Sequence, residues 1–488
     1  MPGTTIQPYR ELITLTVQEI CQACKGELLA GSPHLAVDTV STDTRADPAG
    51  SLFIGLKGER FDGGDFAAEA LERGAAGVLA EGAAARRLAA ALPPGTGGSA
   101  VIIAVADSRA ALREIAALSA RRSSARIVAI TGSSGKTSTK DILFGLLRTQ
   151  MPVVASRDSF NNEVGVPLTL LEADSATEAI IVEMGMQEPG EIGELCRAAA
   201  PDFAVITNIG PAHLEYAGSM ENIAAGKAEI AACLPPGGGL VVPFGETMLE
   251  PHLAGLDVEK ITFGFDVQAD IHPVSETVTG GSLHATIDCA GREVEMEFNF
   301  AARHHLLNAM AALGAYMLMG QPLAAAPDAA AAIRLSPRRG EHIQAPDGIL
   351  LIDDCYNANP LSMESSLEYL LATAPGRRTV AILGDMGELG LRAEEYHRRV
   401  GGRAAALGVD LLVGVGPLAA AYVEGARAKD GGRRDRHLPD CDSAIASVKD
   451  MLEPGDVVLV KASRFMMLEQ LVSALAAAAG GSAPDKEG

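Results

Sequence analysis

Short apolar runs alternate with helix-like patterns along most of the chain, and this rhythm is the first guide to its fold. Runs of about four or five β-prone residues, bounded by turn residues, predict buried strands. They occupy residues 101–105, 127–130, 179–182, 203–206, 349–352, 380–383, 410–413 and 457–460. Between such runs, apolar residues recur at helical spacing, as at positions 306, 310, 313 and 317. The alternation predicts an α/β fold with mostly parallel sheets covered by helices.

The chain is long enough for about three domains of ordinary size, at 488 residues. A stretch rich in Gly, Ala and Pro at residues 81–100 and the Ala-rich segment before Pro337 mark two boundaries. We therefore predict a small α/β N-terminal domain over residues 1–107. A central domain with a mostly parallel sheet follows over residues 108–335, and a C-terminal Rossmann-like domain covers residues 336–488.

A glycine-rich loop follows the strand at residues 127–130 and leads into a helical pattern. Its sequence, Thr-Gly-Ser-Ser-Gly-Lys-Thr-Ser over residues 131–138, has the layout of a phosphate-binding loop. In such a loop the glycines let backbone N–H groups approach phosphate oxygens, Lys136 reaches the terminal phosphates and Thr137 can hold Mg²⁺. The usual pattern opens with Gly where this chain has Ile130. A plain Gly-rich turn is the alternative, but the order of strand, loop and helix favours phosphate binding.

Polar residues repeatedly follow the apolar runs, at the ends of strands where open α/β sheets bind their ligands. These residues are Thr131, Glu183, Asn208, Asp353, Asp354, Asp385 and Lys461. Thr137 and Glu183 are candidate Mg²⁺ ligands, since Mg²⁺ prefers oxygen. His213 is a third candidate, although a lone His is more often a structural hydrogen-bonding residue. The helical spacing around Lys227, taken by itself, is typical of a solvent-exposed lysine.

Composition and charge narrow the range of partners. Lys and Arg total 40 against 62 Asp and Glu, a net charge of −22, whereas nucleic-acid binding depends on neutralising phosphates. The chain starts with polar residues and has no apolar run near 18 residues, so we expect a cytoplasmic protein that is not embedded in a membrane. Of the seven Cys residues only Cys21 and Cys24 form a close pair. We interpret them as helix packing rather than as a zinc or redox site.

Together these residues resemble the Mur ligase family, the ATP-dependent amide-forming enzymes of peptidoglycan synthesis. The resemblance covers nearly the whole chain and rests on eight short motifs. They are Asp-Thr-Arg at 43–45, the loop at 131–137, Asn-Asn-Glu-Val-Gly-Val-Pro at 161–167, Glu-Met-Gly at 183–185, Asn-Ile-Gly-Pro-Ala-His at 208–213, Gly-Lys-Ala-Glu-Ile at 226–230, Asp-Asp-Cys-Tyr-Asn-Ala-Asn-Pro at 353–360 and Lys-Ala-Ser-Arg at 461–464. Three positions depart from the family pattern: His305 stands where Asn is usual, Arg338 where Gly is common and Ala462 where Gly is usual.

The resemblance implies a particular reaction. The segments at 161–167 and 353–360 are similar to those of members that join D-alanyl-D-alanine to UDP-N-acetylmuramoyl-tripeptide, using ATP and Mg²⁺, through an acyl phosphate. By the same resemblance, the N-terminal domain holds the UDP part of the substrate and the central P-loop domain binds MgATP. The C-terminal domain then closes over both, in an enzyme that we expect to be a monomer.

The resemblance also assigns roles to individual residues. Catalytic roles are implied for Lys136, Lys227 and His213, and Mg²⁺ contacts for Thr137, Glu183 and His213. ATP contacts are implied for Thr131, Gly132, Ser133, Ser134, Gly135, Lys136, Thr137, Ser138, His304, Asn308, Arg339 and Asp354. Substrate contacts are implied for Asp43, Arg45, Lys57, Asp62, Asn161, Asn162, Glu163, Tyr356, Asn357, Asn359, Lys461, Ser463 and Arg464. Carbamoylation by CO₂ is implied for Lys227, and an ordinary ion pair with a phosphate or an acidic neighbour is the alternative.

Two other functions share the phosphate loop. A related amide ligase, such as another Mur ligase or a folylpolyglutamate synthase, should lack the segments found here at 161–167 and 353–360. A P-loop regulatory ATPase, from a different class, would hydrolyse ATP without an acceptor. Phosphate release measured with and without the dipeptide would separate these functions.

Overall fold

The computed structural model describes residues 13–58, 61–91, 100–157, 159–279, 281–431 and 434–477. Within these ranges the chain forms three successive α/β units, each built on its own main sheet, and a small two-stranded sheet in the first unit. This architecture confirms the predicted α/β class and its three-part organisation. The boundaries proposed after residues 107 and 335 stay predictions.

The first unit contains a five-stranded sheet with helices against it. Its strands are Leu15–Thr16 (β1), Glu27–Ala30 (β2), Ala36–Val37 (β3), Val40–Ser41 (β4), Leu52–Ile54 (β5), Gly77–Glu81 (β6) and Val101–Val105 (β7). Its helices are Val17–Cys24 (α1), Ala67–Glu72 (α2), Gly82–Ala91 (α3) and Ser108–Arg122 (α4). The sheet has the order β2-β7-β6-β5-β4 and is parallel except for β2. Helix α1 begins where Thr16 and Glu19 form a capping box, which satisfies two otherwise free backbone donors.

The second unit is organised around a nine-stranded sheet. Its strands are Arg126–Thr131 (β8), Val153–Ala155 (β9), Ala179–Glu183 (β10), Phe203–Ile206 (β11), Gly238–Pro243 (β12), Val258–Phe263 (β13), Ile271–Thr279 (β14), Ser282–Cys289 (β15) and Glu293–Phe298 (β16). Its helices are Lys136–Leu147 (α5), Gly165–Leu171 (α6), Glu191–Ala199 (α7), Leu214–Ala217 (α8), Met220–Ala232 (α9), Glu250–Leu253 (α10), Arg303–Leu318 (α11) and Ala326–Ala330 (α12). The order is β16-β15-β14-β13-β12-β11-β8-β10-β9, with antiparallel pairing only between β14 and β15 and between β15 and β16. The phosphate-loop strand β8 therefore lies between β10 and β11, inside the parallel part.

The third unit is a six-stranded sheet. Its strands are Glu341–Gln344 (β17), Leu350–Asp354 (β18), Thr379–Gly384 (β19), Leu411–Val415 (β20), Arg436–Leu438 (β21) and Val457–Lys461 (β22). Its helices are Pro360–Thr373 (α13), Ala393–Leu407 (α14), Ala420–Lys429 (α15), Cys441–Ser447 (α16) and Glu469–Ala477 (α17). The order is β17-β18-β22-β19-β20-β21, with β17 as an antiparallel edge. Central strands β18, β19 and β22 are almost wholly buried, as expected for strands covered on both faces.

Helix α4 connects the first two units. Asp107 caps its start by accepting hydrogen bonds from the Arg109 and Ala110 backbone N–H groups, at 2.9 and 3.0 Å. Its residue Leu112 packs in the core of the first unit. Residue Ala116, one turn later, packs in a core that includes strands of the second unit. Among the described residues, none of the helices has both the length and the apolar character needed to cross a membrane.

Candidate active site

The predicted phosphate loop has the backbone that its glycines allow. Strand β8 ends at Thr131, the loop turns at Gly132 and Gly135 with φ of +148° and +79°, and α5 begins at Lys136. A Cβ at Gly132 would lie 1.8 Å from Thr207 Oγ1, and one at Gly135 would lie 2.3 Å from Asn308 Oδ1. Both positions therefore require glycine, for conformation and for space.

Residues after the neighbouring strand β11 hold the loop in shape. The Ser134 N–H donates to Asn208 Oδ1 at 2.9 Å, and the Thr207 hydroxyl donates to the Ser134 carbonyl at 2.5 Å. The Ser133 hydroxyl donates to the Gly210 carbonyl at 2.8 Å and accepts from the Gly210 N–H at 2.9 Å. These contacts give the loop a fixed shape before any nucleotide arrives. Such preorganisation favours electrostatic stabilisation, because little reorganisation is then needed.

A hydroxyl and a carboxylate converge next to the loop. The Thr137 hydroxyl donates to Glu183 Oε2 at 2.7 Å, and Asn161 Nδ2 donates to Glu183 Oε1 at 2.8 Å. Both Thr137 and Glu183 are buried. Since β8 and β10 are adjacent parallel strands, the end of β10 places Glu183 beside the start of α5. The sequence-predicted pair Thr137 and Glu183 is thus in direct contact.

Lys136, which is partly buried, and Lys227, which is buried, lie close enough for the charge of one to act on the other. Lys136 Nζ donates to the Gly132 carbonyl at 2.8 Å. Burial lowers the pKa of Lys136, Arg339 lowers it further, and Glu183 opposes the shift. Burial and the charge of Lys136 hold the pKa of Lys227 well below its usual value. The interpretation of Lys227 as a solvent-exposed lysine is wrong: only 1 % of its surface is exposed, because α9 packs against the sheet beside the loop.

His213, the third predicted Mg²⁺ ligand, contacts a residue of the third unit instead of Thr137 or Glu183. Its Nδ1 contacts the Glu388 carboxylate, and the Glu215 N–H donates to the Glu388 carbonyl at 3.1 Å. The hydrogen bond from His213 lowers the pKa of Glu388. No cluster of three or more His, Cys, Asp or Glu side chains in the described part of the chain is arranged to hold a metal. In the present arrangement His213 pairs with a carboxylate rather than with Thr137 and Glu183.

Residues of the third unit reach the phosphate loop. Asn359 Nδ2 donates to the Ser133 carbonyl at 3.2 Å, while the Asn359 side chain also caps α13. The Arg339 guanidinium lies over the Tyr356 ring at 4.4 Å, and the Tyr356 hydroxyl is hydrogen-bonded to Ser159 of the second unit. Among the described residues, Arg339 Nε is buried and has no hydrogen-bond partner. A guanidinium group with a buried, unpartnered Nε donor, close enough to Lys136 to act on its pKa, is suited to a phosphate oxygen.

Asp354, a predicted ATP contact, and Lys461, a predicted substrate contact, form an ion pair. Lys461 Nζ donates to Asp354 Oδ2 at 2.7 Å and to the Asn357 carbonyl at 3.1 Å. Ser463 accepts from the Gly387 N–H at 2.9 Å, so it braces the loop after β19. Arg464 instead makes an exposed ion pair with Glu469 at 2.5 Å. Arg464 is therefore the residue of this group that solvent reaches most freely.

The two histidines at the start of α11 lie beside the loop with Asn308. The His304 and His305 rings are 4.2 Å apart, and Asn308 Nδ2 lies 3.3 Å from His305 Nδ1. Burial lowers the pKa of His304 to about 3, and Lys461 contributes. The structure therefore brings the predicted ATP contacts His304, Asn308 and Arg339 together near the loop.

The candidate substrate residues of the first unit fall into local pairs. Arg45 Nη2 lies 2.7 Å from Asp43 Oδ2, and hydrogen bonds from Arg45 lower the pKa of Asp43 to about 2. Lys57 and Asp62 face each other across an isolated β-bridge and line one open depression. None of these first-unit side chains hydrogen-bonds to the phosphate loop within the residues that the structure describes. In the second unit, the candidate substrate residue Asn162 accepts through Oδ1 from the Gly165 N–H at 2.9 Å, at the start of α6.

The structure also identifies participants that the sequence reasoning missed. Arg109 donates to the Lys57 carbonyl at 3.3 Å and lies 2.5 Å from Glu163, so it connects two predicted substrate segments. No sequence signal distinguishes Arg109 from an ordinary surface arginine. Glu388, the partner of His213, follows β19 by four residues. The strand-end argument already singled out Asp385 there, and extending it along the same loop would have found Glu388.

Strand β8, its loop and α5, with the third unit seated on them, define a phosphate-binding, nucleotide-dependent enzyme of the P-loop type. The comparisons with known proteins specify this class. The chain matches the models "Mur ligase family, catalytic domain" over residues 36–120, "Mur ligase middle domain" over 130–316 and "Mur ligase, glutamate ligase domain" over 338–464. The chain therefore belongs to the Mur ligase family, and it is an ATP-dependent ligase.

Individual proteins are similar to this chain over nearly its full length. The Bacillus subtilis protein named UDP-N-acetylmuramoyl-tripeptide–D-alanyl-D-alanine ligase is 34 % identical, over 95 % of this chain and 99 % of that protein. The structure of MurF from Acinetobacter baumannii has a TM-score of 0.84 at 28 % identity, covering 95 % of this chain and 99 % of that one. MurF from Thermotoga maritima, in complex with ADP, has a TM-score of 0.77 at 28 % identity, over 90 % and 96 % of the two chains.

Proposed function

We propose that this protein joins D-alanyl-D-alanine to UDP-N-acetylmuramoyl-tripeptide at the expense of ATP. The observation that carries the proposal is the meeting of Asn359 and Tyr356 with the phosphate-loop unit, through Ser133 and Ser159. Asn359 and Tyr356 both belong to the segment at 353–360, one of the two that resemble the D-alanyl-D-alanine-adding members of the family. The name of the Bacillus subtilis relative, similar over 95 % of this chain, agrees. We propose a monomer as the active unit, and we place the reaction in the cytoplasm, where ATP is supplied.

The mechanism that we propose needs positioning and charge rather than a protein nucleophile. The terminal carboxylate of the tripeptide attacks the γ-phosphate, giving an acyl phosphate and ADP. The dipeptide amine then attacks the acyl carbon, and phosphate leaves from the tetrahedral intermediate. Lys136 and Arg339, both close to the loop, would offset the charge that develops on the transferred phosphoryl group. Seating of the third unit would keep water away from the acyl phosphate.

The donor set beside the loop fits Mg²⁺. Thr137 and Glu183 supply a hydroxyl and a carboxylate oxygen that already lie 2.7 Å apart. Mg²⁺ is commonly bound through one or two carboxylates, the remaining positions being filled by phosphate oxygens and water. When bound, the ion would neutralise phosphate charge. His213 would join the set only by leaving Glu388, which makes it the weakest of the three predicted ligands.

Lys227 is the residue for which we propose carbamoylation. Reaction with CO₂ needs a neutral amine, and the pKa of Lys227 is held well below its usual value by burial and by Lys136. Lys227 is almost fully buried, and burial disfavours its charged ammonium form, which leaves a neutral amine for CO₂. The carbamate would be an anion beside Lys136, so an attraction between opposite charges would replace the unfavourable interaction that lowers the pKa of Lys227. Ordinary pairing with a phosphate is the alternative.

One assay tests the proposed function. Phosphate release is measured with ATP, Mg²⁺ and UDP-muramoyl-tripeptide, with and without D-alanyl-D-alanine. We expect sustained turnover only when all substrates are present, together with formation of the pentapeptide product. Lys136→Ala serves as the matched negative control, and its rate should fall on the order of a thousandfold or more. Equal phosphate release without the dipeptide would instead identify a regulatory ATPase.

A further inference from the structure

His305 connects the nucleotide side of the second unit to the entry of the third. It lies in the first turn of α11, is only 4 % exposed, and replaces the Asn that is usual in the family. Its Nε2 lies 3.2 Å from the Arg339 carbonyl, and its Nδ1 lies 3.3 Å from Asn308 Nδ2. Arg339 precedes β17, so one side chain contacts both units.

The protonation state of His305 follows from its two partners. A carbonyl oxygen can only accept, so the Arg339 carbonyl requires a hydrogen on Nε2. In a neutral imidazole Nδ1 is then an acceptor. Burial, and to a smaller extent His304 and Arg339, hold the pKa of His305 well below its usual value against the opposing effect of Asp354, so the ring stays neutral.

The same donor–acceptor argument determines the orientation of the Asn308 amide. Because Nδ1 of His305 accepts, the Asn308 atom that faces it must be the NH₂ group, and the carboxamide oxygen must point the other way. That oxygen is the atom that a Cβ at Gly135 would meet at 2.3 Å, so it lies against the phosphate loop. The orientation of an Asn amide is normally set by its hydrogen-bond network, and here a single imidazole sets it.

We propose that His305 is a positioning residue that ties the orientation of Asn308 at the phosphate loop to the placement of Arg339 over Tyr356. The Arg339 carbonyl, the His305 ring, the Asn308 amide and the Gly135 backbone form one continuous chain of contacts. Nucleotide binding at the loop and the position of the third unit are then coupled through the side chain of His305. This proposal rests on the proposed function, since it concerns the ATP side of the same site.

The test compares nucleotide affinity and kinetics in a set of variants of the full chain. His305→Phe keeps the ring and removes both hydrogen bonds, and we expect it to raise the Kd for ADP and the KM for ATP about fivefold or more. Asn308→Ala should have a similar effect. The double variant should be no worse than the poorer single variant, because residues that act as a unit are not additive. His284→Phe, on the β14–β16 extension, is the matched control and should leave both constants unchanged.

The tautomer of His305 can be measured directly, and a purely structural role for the ring would not require either tautomer. In protein labelled with ¹⁵N-histidine, the His305 signals, assigned by their loss in His305→Phe, should show a protonated Nε2 and an unprotonated Nδ1. His305→Asn, which presents an acceptor near the former Nδ1, should keep the Kd for ADP within about twofold of the parent. If His305→Phe does not fold, His305→Asn and the tautomer measurement still test whether His305 orients Asn308.

Three results would overturn the proposal: a protonated Nδ1, effects of His305→Phe and Asn308→Ala that multiply, or a kcat loss with unchanged ATP and ADP constants. Failure of the proposed function is a separate outcome. In that case the parent enzyme itself would show no dipeptide-dependent turnover, whatever the behaviour of the His305 variants.

Discussion

Replacing Gly135 by Ala should damage the phosphate loop in two separable ways. Ala at φ +79° carries the left-handed strain of an L-residue, about 1–2 kcal/mol. The new Cβ would also lie 2.3 Å from Asn308 Oδ1, so Asn308 must move and lose its hydrogen bond to His305. That loss adds about 0.5–1.5 kcal/mol. The two terms sum to roughly 1.5–3.5 kcal/mol, and a variant that carries only the backbone strain can serve as the control.

Gly245→Ala is that control, because Gly245 also has positive φ, at +71°, but nothing lies within 4 Å of its added Cβ. It should show the strain alone. For a unit of about 150–250 residues each kcal/mol lowers the melting temperature by roughly 2–4 °C. We therefore expect Gly135→Ala to melt several degrees below Gly245→Ala, and its KM for ATP to rise about tenfold or more while the control keeps the parent value. Both are measured by thermal melting and by steady-state phosphate release.

The contact with Asn308 can be removed to check its share. Measured in an Asn308→Ala background, Gly135→Ala should cost only the backbone strain, because the carboxamide that the new Cβ meets and its hydrogen bond to His305 are already absent. If Gly135→Ala had the same melting temperature as Gly245→Ala and kept the parent KM for ATP, the loop would not bind phosphate as proposed.

The remaining predictions concern ions, CO₂ and the link between units. Glu183→Ala should raise the Mg²⁺ needed for half-maximal activity at least severalfold, as measured by Mg²⁺ titration; an unchanged titration would remove Glu183 from the metal site. Enzyme depleted of CO₂ should regain activity when bicarbonate is added, and Lys227→Ala should not respond; equal responses would exclude carbamoylation. Lowering the pH should reduce the bicarbonate effect, because protonation of the amine, whose pKa is already low, competes with CO₂. Arg109→Ala should raise the KM for the UDP-muramoyl substrate with little change in the KM for ATP, since Arg109 contacts Lys57 and Glu163; a change in the ATP constant alone would contradict that assignment.

Much of the fold was predictable because buried parallel strands leave a strong apolar signal. The predicted strands at 101–105 and 203–206 agree with β7 and β11 to the residue, and the others differ by one or two positions at their ends. The antiparallel strands β15 and β16 were not predicted. Both alternate buried and exposed residues along one hairpin, a weaker pattern than a continuous apolar run.

The candidate site was predictable where strand ends determine it and not elsewhere. Thr137 and Glu183 meet because β8 and β10 are adjacent, which the strand-end rule anticipates. The burial of Lys227 depends on which face of α9 packs against the sheet, and its local sequence does not specify that face. The contacts of His213 with Glu388, and of Arg109 with Glu163, join residues 175 and 54 positions apart. Local spacing carries no information about such pairs.

The bonds that seat the third unit on the second also limit how long products stay bound. Asn359 to Ser133, Tyr356 to Ser159 and Glu388 to His213 are separate polar contacts, each contributing about 0.5–1.5 kcal/mol net, or somewhat more where a charge takes part. These polar contacts together contribute only a few kcal/mol, and buried apolar side chains of both units also pack in one core. We expect the cleft to open by a domain motion on a timescale compatible with turnover. Since ADP, phosphate and the lengthened peptide must leave through this opening, the dissociation step rather than bond formation would then set the rate, and added viscosity would slow the enzyme.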